Sequence, residues 1–218
     1  MNRAIFDIGA VYYDLVTARL SEWRADCAQL AMHLQERDRF IVDIGTGPGV
    51  SAYEVAAQNH SVTVLGVDIS QIMLRRALRN RQRYSGCQQR VHFVRADARE
   101  LPLMSASVDV VTTHSTLYLV SDRRAVLREV RRLLRPGGRA ILFEPRRERR
   151  AVPGIRTWLR SPAYAWTMVL WGIVSRFEGA FGEGELRELV QEAGLKVDED
   201  TQALEGYGGL IIAHAASE

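Results

Sequence analysis

Apolar and polar positions along this chain change period repeatedly, and the changes mark out its elements. Apolar residues recur at helical spacing across residues 10–20 and 21–36, which predicts two helices. A short apolar run, RFIVDI at 39–44, then reads as a strand that breaks into a glycine-rich turn, and SAYEVAAQ at 51–58 returns to a helical period. VTVLGVDI at 62–69 is apolar without alternation, the pattern of a parallel strand covered on both faces. It ends at Asp68, and Ser70 has the chemistry of a cap for a helix running through Met73 to about Tyr84.

RVHFVRAD at 90–97 and VDVVTTH at 108–114 read as a third and a fourth strand, joined by the loop DARELPLMSAS. A helix from Asp122 to Leu134 meets Pro136, Gly137 and Gly138, a stop signal, before GRAILFEP at 138–145 forms a fifth strand. EGELRELVQEAGLKVDEDTQAL predicts a helix then a strand, and GGLIIAHA at 208–215 a last strand. Strands alternating with helices imply right-handed crossovers and a doubly wound α/β sheet. Residues 151–182 fall outside this rhythm and read as an insertion over the top of the sheet.

With 218 residues, no internal repeat and no low-complexity linker, one domain is the simplest description. It divides into a helical cap (1–37), a ligand-binding core (38–144), a lid (151–182) and a C-terminal helix with strands (183–218). A hydrophobic content of 47% against 25% charged residues describes a globular protein with a full core. The amino terminus lacks the pattern of a signal peptide, and Cys27 and Cys87 are isolated, so a cytoplasmic location is expected. The net charge of +3 comes almost wholly from arginine, Lys196 being the single lysine. Arginine clusters at 75–83 and 146–150; a solvated surface accounts for both, and a patch for phosphate or anionic lipid is the alternative.

The chemistry concentrates in IVDIGTGPGV, residues 41–50, where Gly45, Gly47 and Gly49 fall within five positions. In an open α/β sheet this place, the carboxyl end of the first strand, is where ligands bind. A Walker loop needs a lysine, and no lysine or arginine lies between Ile41 and Val62. The GxGxxG dinucleotide fingerprint is also missed, since Val50 stands where its third glycine belongs. Negative charge surrounds the turn instead, with Asp43 before it and Asp68 and Asp97 at the ends of the next two strands. Carboxylates suit hydroxyls, amino groups and cations and repel a pyrophosphate, so a nucleoside carrying positive charge is expected.

VDIGTGPG, VDIS with Met73, RADARELPL and LREVRRLLRPGGRAIL, in that order over roughly residues 38–144, resemble the motifs of the class I S-adenosylmethionine-dependent methyltransferases. The resemblance implies a seven-stranded, mostly parallel Rossmann-like sheet with an antiparallel last strand, and S-adenosyl-L-methionine as cofactor. On it, Gly45, Thr46, Gly47 and Gly49 let the methionine part of the cofactor lie against the turn, while Asp43 fixes that loop and reaches the amino group directly or through water. Asp68 accepts from the ribose hydroxyls, Ile69 and Met73 pack on the adenine, Asp97 takes its amine, and the Ala98 amide meets a ring nitrogen. Met73 taken alone reads equally as helix core. VYYDL resembles a cofactor-closing segment of small-molecule members and offers Tyr13 to the sulfonium pocket, a surface or core tyrosine being the alternative.

The resemblance further implies methyl transfer to a small, apolar or aromatic acceptor such as a quinone or polyketide, with oxygen the favoured atom. His114 is the candidate base because it follows directly on the fourth strand; a pocket role beside the methionine moiety is its alternative, and Ser115 shares that position. THST bears no similarity to the NPPY or DPPY of nucleobase methylating enzymes, so nucleic acid is not expected as substrate. No residues have metal-ligand spacing. SPAYAWTMVLWGIV is too short to span a bilayer, which takes about 20 residues, and reads as a lid helix. Trp158, Trp166, Met168 and Trp171 then wall an acceptor pocket, or dock on a membrane surface with Arg156, Arg160 and Arg176. Phospholipid or quinone methylation at a membrane surface, and binding of the cofactor without transfer, are the competing functions. The oligomeric state is not legible.

Overall fold

The computed structural model describes residues 20–147 and 153–215. Its centre is a seven-stranded sheet in the order β3-β2-β1-β4-β5-β7-β6. The strands are β1 (Phe40–Ile44), β2 (Thr63–Asp68), β3 (Val91–Arg95), β4 (Val108–His114), β5 (Leu134–Pro145), β6 (Leu195–Ala203) and β7 (Gly208–Ala215). The first five pair in parallel, and β7 lies antiparallel between β5 and β6. This is the expected doubly wound sheet with its antiparallel last strand.

Burial follows the sequence pattern. Every residue of β4, the middle strand, is buried, as suits a strand covered on both faces, whereas the edge strand β6 shows exposed residues along most of its length. Among the described residues seven α-helices accompany the sheet: α1 (Ser21–Ala28), α2 (Val50–Gln58), α3 (Gln71–Asn80), α4 (Arg123–Leu133), α5 (Ile155–Arg160), α6 (Pro162–Glu178) and α7 (Glu185–Glu192). Helix α4 sets Val126, Leu127, Val130 and Leu133 at helical spacing into one core cluster with Val42, Val111 and Leu142 of the sheet. Ser70 caps α3 by accepting from the Met73 amide at 3.3 Å, and Asp122 caps α4 by accepting from Ala125 at 2.9 Å.

Two expected boundaries move. The helix expected over 21–36 ends as α at Ala28 and continues as a 3-10 turn, Gln29–His33, that buries Leu30. The Pro-Gly-Gly stop lies inside β5 rather than before it. Val108 pairs with Leu134 and Val110 with Arg139, so residues 135–138 bulge out of the ladder. A Cβ on Gly138 would stand 2.9–3.1 Å from the carbonyl oxygens of Arg135, Asp109 and Val108, too close for any side chain.

The order of strands reverses between β1 and β4, which puts the carboxyl ends of β1, β2 and β4 around one crevice. Because Leu127 is fully buried in the α4 face, Leu127→Ala is expected to cost about 2–5 kcal/mol of stability, read from urea unfolding.

Candidate cofactor and acceptor site

The turn after β1 hangs from the end of β2. The amides of Gly45 and Thr46 donate to the Val67 carbonyl at 2.8 and 3.0 Å, and the Gly47 amide donates to the Asp68 carboxylate at 2.8 Å. The second Asp68 oxygen accepts from the Ser70 amide at 2.8 Å. Burial pushes the Asp68 carboxyl up, and the amides of Ser70, Gly47 and Ile69 pull it back.

The glycines serve different needs. Gly45, at φ +68°, lies against Thr116, whose side chain would clash with any Cβ at 2.1 Å and whose hydroxyl donates to the Gly45 carbonyl at 3.1 Å. Gly47, at φ +53°, has no described atom beyond its own chain neighbours nearer than 4.0 Å to where a Cβ would stand. Protein packing therefore explains the bare backbone at Gly45, and the turn is open at Gly47. Gly49 precedes α2 and backs onto Phe93 and Ala77.

Asp43 is 1% exposed and accepts from the hydroxyls of Ser51 at 2.6 Å and Thr112 at 2.8 Å. Both of its oxygens thus tie the turn to α2 and β4. Burial raises its carboxyl, and the surrounding hydroxyls offset part of that rise. The buried Thr46 hydroxyl also lowers the Asp43 carboxyl, though it makes no hydrogen bond of good geometry.

At the β3 end the Asp97 carboxylate is gripped by the Arg99 guanidinium, with contacts of 2.6–3.1 Å, and accepts from the Arg99 amide at 2.9 Å. These donors hold its carboxyl below the usual range. Ala98 is half-buried beside it, Met73 is buried, and Ile69 is 56% exposed on the rim. Tyr13 lies outside the described residues.

At the β4 end, His114 stacks on Phe143 with centroids 4.7 Å apart and meets Trp23 edge-on at 5.3 Å. Burial lowers its pKa to about 4, so the ring is neutral at pH 7 and a weak proton acceptor. Its Nδ1 lies 3.3 Å from the Ser115 hydroxyl, and its Nε2 is buried without a partner. Ser115 itself takes φ +57°, the left-handed region that a non-glycine residue rarely adopts.

Glu144, the fully buried acid near the end of β5, holds that bend. Its carboxylate accepts from the Thr113 hydroxyl at 2.9 Å and from the amides of Thr116 at 3.1 Å, Leu117 at 3.0 Å and Tyr118 at 3.4 Å. Burial still raises it to about 7. Sequence reasoning passed over Glu144, although an acid closing the apolar run AILFEP was a signal for it. It also passed over Trp23, which bridges His114 and Trp171, the latter edge-on at 6.1 Å.

Trp23 and Trp171 belong to a buried cluster with Cys27, Val50, Tyr164, Met168 and Tyr207, where α1 meets α6. Asp26 is buried beside this cluster and accepts from the Tyr164 hydroxyl; burial pushes its carboxyl up to about 7. Of the expected lid residues, Met168 and Trp171 face inward, whereas Trp166 is 58% exposed and meets Trp158 edge-on at 5.5 Å. Among the described residues, no group of three or more His, Cys, Asp or Glu is placed to hold a metal ion. No described helix is long and apolar enough to cross a membrane.

A backbone open at Gly47, an aspartate beside it and an unpartnered buried nitrogen, His114 Nε2, fit a nucleoside with a polar, cationic tail better than a pyrophosphate. Residues 41–138 match the family described as "Methyltransferase domain". The chain thus carries, at those residues, a methyltransferase domain of the class I S-adenosylmethionine-dependent kind, a family whose methyl donor is S-adenosyl-L-methionine. It is 42% identical over 142 residues to 27-O-demethylrifamycin SV methyltransferase of Amycolatopsis mediterranei, covering 65% of this chain and 50% of that one. It is 34% identical over 149 residues to the ubiquinone/menaquinone biosynthesis C-methyltransferase UbiE of Syntrophotalea carbinolica, covering 66% and 60%. The chain thus spans half to three fifths of these two relatives.

Among solved structures, a chain from the complex of the Haloferax volcanii Trm112 methyltransferase activator with a methyltransferase superposes with a TM-score of 0.71 at 19% identity, covering 97% of this chain and 98% of that one. The [4+2]-cyclase SpnF superposes at 0.70 with 17% identity, covering 92% and 84%. These likenesses show the fold.

The Asp26 carboxyl holds its proton more tightly in the folded protein, about 7 against the ordinary 3.8. The stability it contributes is complete below about pH 4 and is lost as pH rises through 7. Asp26→Asn, which keeps an acceptor for Tyr164, is expected to narrow the gap between the melting temperatures at pH 5 and pH 8. An unchanged gap in thermal melts would show that Asp26 titrates normally.

Proposed function

We propose that this protein transfers the methyl group of S-adenosyl-L-methionine to a small apolar or aromatic acceptor, with a hydroxyl oxygen the favoured target. The observation that carries the reading is the open turn at Gly47 beside the Asp68 carboxylate, with the buried, unpartnered Nε2 of His114 at the end of the neighbouring strand.

Asp68 would hold the ribose hydroxyls, exchanging its bond from the Gly47 amide for bonds from them. Ile69 and Met73 would pack on the adenine, and Ala98 and Asp97 would take its polar edge, with Asp97 shared between that amine and Arg99. Gly45, Thr46, Gly49 and Ser115 would bound the methionine end, and Asp43 would stiffen it from beneath. Bound there, the cofactor supplies a methyl group already activated by the positive sulfur.

The chain's own task is alignment and the exclusion of water, and alignment is worth about 7–11 kcal/mol of barrier. Trp23, Trp171 and Phe143 form an apolar wall around His114, and α5 and α6 act as the lid. His114 has too low a basicity to strip a hydroxyl of its proton beforehand. In this reading its Nε2 orients the acceptor oxygen by accepting a hydrogen bond from the hydroxyl, and takes that proton once the oxygen has gained the methyl and become acidic.

The relative acting on 27-O-demethylrifamycin SV, and the O-methyltransferase of Pyrenophora dematioidea, 35% identical over 101 residues, support oxygen as the target. UbiE, named a C-methyltransferase, keeps carbon as the alternative. Two buried free thiols, Cys27 and Cys87, accord with the cytoplasm as its compartment.

Asp68→Ala is expected to weaken S-adenosylhomocysteine binding by roughly 100-fold in a calorimetric titration, the scale of losing two charge-assisted hydrogen bonds. Unchanged affinity would overturn the assignment. Tight binding of labelled S-adenosylmethionine without methyl transfer to any phenol, quinol or macrolide offered would count instead for a binding module.

A further inference from the structure

Helix α6 has two faces of different character. Tyr164, Met168, Trp171 and Ser175, three or four residues apart, are buried. Trp166, Leu170, Ile173, Val174 and Phe177 have the same spacing on the opposite face, and they are 38–87% exposed. Ile155 and Leu159 of α5, 72% and 79% exposed, extend this apolar stripe, and the edge-on contact of Trp158 with Trp166 joins the two helices. Seven of the eleven large hydrophobic side chains that are exposed among the described residues therefore lie on one helical hairpin. A contiguous apolar surface of this kind on a folded protein marks a docking site.

Charge decides what docks there. Between Pro153 and Glu178 the charged residues are Arg156, Arg160, Arg176 and Glu178, and the three arginines are exposed. Glu22 of α1 lies within electrostatic reach of Arg160. A second copy of this chain, packed face to face about a two-fold axis, would bring the same cationic rim against itself. An anionic lipid surface accepts the apolar stripe among its acyl chains and the arginines among its headgroups at once.

We infer that the α5–α6 hairpin seats this protein on an anionic membrane surface, with α6 lying in the plane of the interface. The buried face of the same helix carries Trp171 to Trp23 and so to His114. A lipophilic small molecule dissolved in that membrane is then separated from the site by the thickness of one helix. The docking itself stands on the surface of the hairpin, whatever reaction the crevice performs.

The test is co-sedimentation of the full chain with vesicles of phosphatidylcholine, with and without phosphatidylglycerol, at low and high salt. Binding is expected to be at least roughly tenfold stronger to the anionic vesicles and to weaken with salt. Leu170→Ser with Phe177→Asp should reduce vesicle binding to all compositions by roughly tenfold or more, and Arg156→Gln with Arg160→Gln should remove the anionic preference. Each variant should keep the wild-type affinity for S-adenosylhomocysteine, which separates loss of the docking face from loss of the fold. No binding to either vesicle, or binding that the Leu170/Phe177 variant retains in full, overturns the inference. So does self-association without lipid that the same variant abolishes, which would assign the stripe to a second copy.

Discussion

The site depends on bare main chain at the end of β1 being held within hydrogen-bonding reach of the acid at the end of β2. Two amides of the turn share the Val67 carbonyl and a third reaches Asp68, so neither strand end can move without the other. Thr116 presses on Gly45 from the β4 side and fixes the third wall. The crevice is thus set by three strand ends that the sheet brings together from positions 44, 68 and 114, and among the described residues the turn is open at Gly47.

Buried carboxylates supply the electrostatics. Asp43 and Asp68 are both pushed up by burial, and the Asp68 charge adds to the rise at Asp43. Taking charge out of water is costly unless donors surround it, and here serine and threonine hydroxyls and backbone amides do so. Two adjacent acids whose ionised forms are disfavoured are relieved by a cation, which gives the crevice a reason to prefer a sulfonium or ammonium group to a phosphate. Glu144 works differently. Its three amide donors belong to one short loop, Thr116 to Tyr118, and a fourth donor, the Thr113 hydroxyl, lies in β4 itself, so Glu144 ties the left-handed bend at Ser115 to the end of that strand.

Much of this was legible in the sequence because apolar runs are local. VDVVTTH and GGLIIAHA read as strands at the bounds they occupy, and Ser70 announced its helix by cap chemistry. The Pro-Gly-Gly stretch read as a stop because its bulge is imposed by carbonyls of β4, far away in the chain. At the site, the glycines and the three aspartates could be picked out from spacing. What occupies them could not: Thr116 lies 71 positions from Gly45, and Glu144 lies 26–31 from its donors. The position of His114 at a strand end was visible, but its burial between Phe143 and Trp23 depends on three elements meeting. The lid read as a single apolar helix and is two, with half of its large apolar residues turned outward rather than over the sheet.

The central claim is that the crevice at Gly47 and Asp68 receives an adenosyl group with a charged tail. A crystal structure of the complex with S-adenosylhomocysteine tests it most directly. The account predicts ribose hydroxyls on the Asp68 carboxylate, in place of the Gly47 amide, with the sulfur facing His114 and Trp23. A nucleoside bound elsewhere on the protein, or the Gly47 to Asp68 bond intact at saturating ligand, would contradict it.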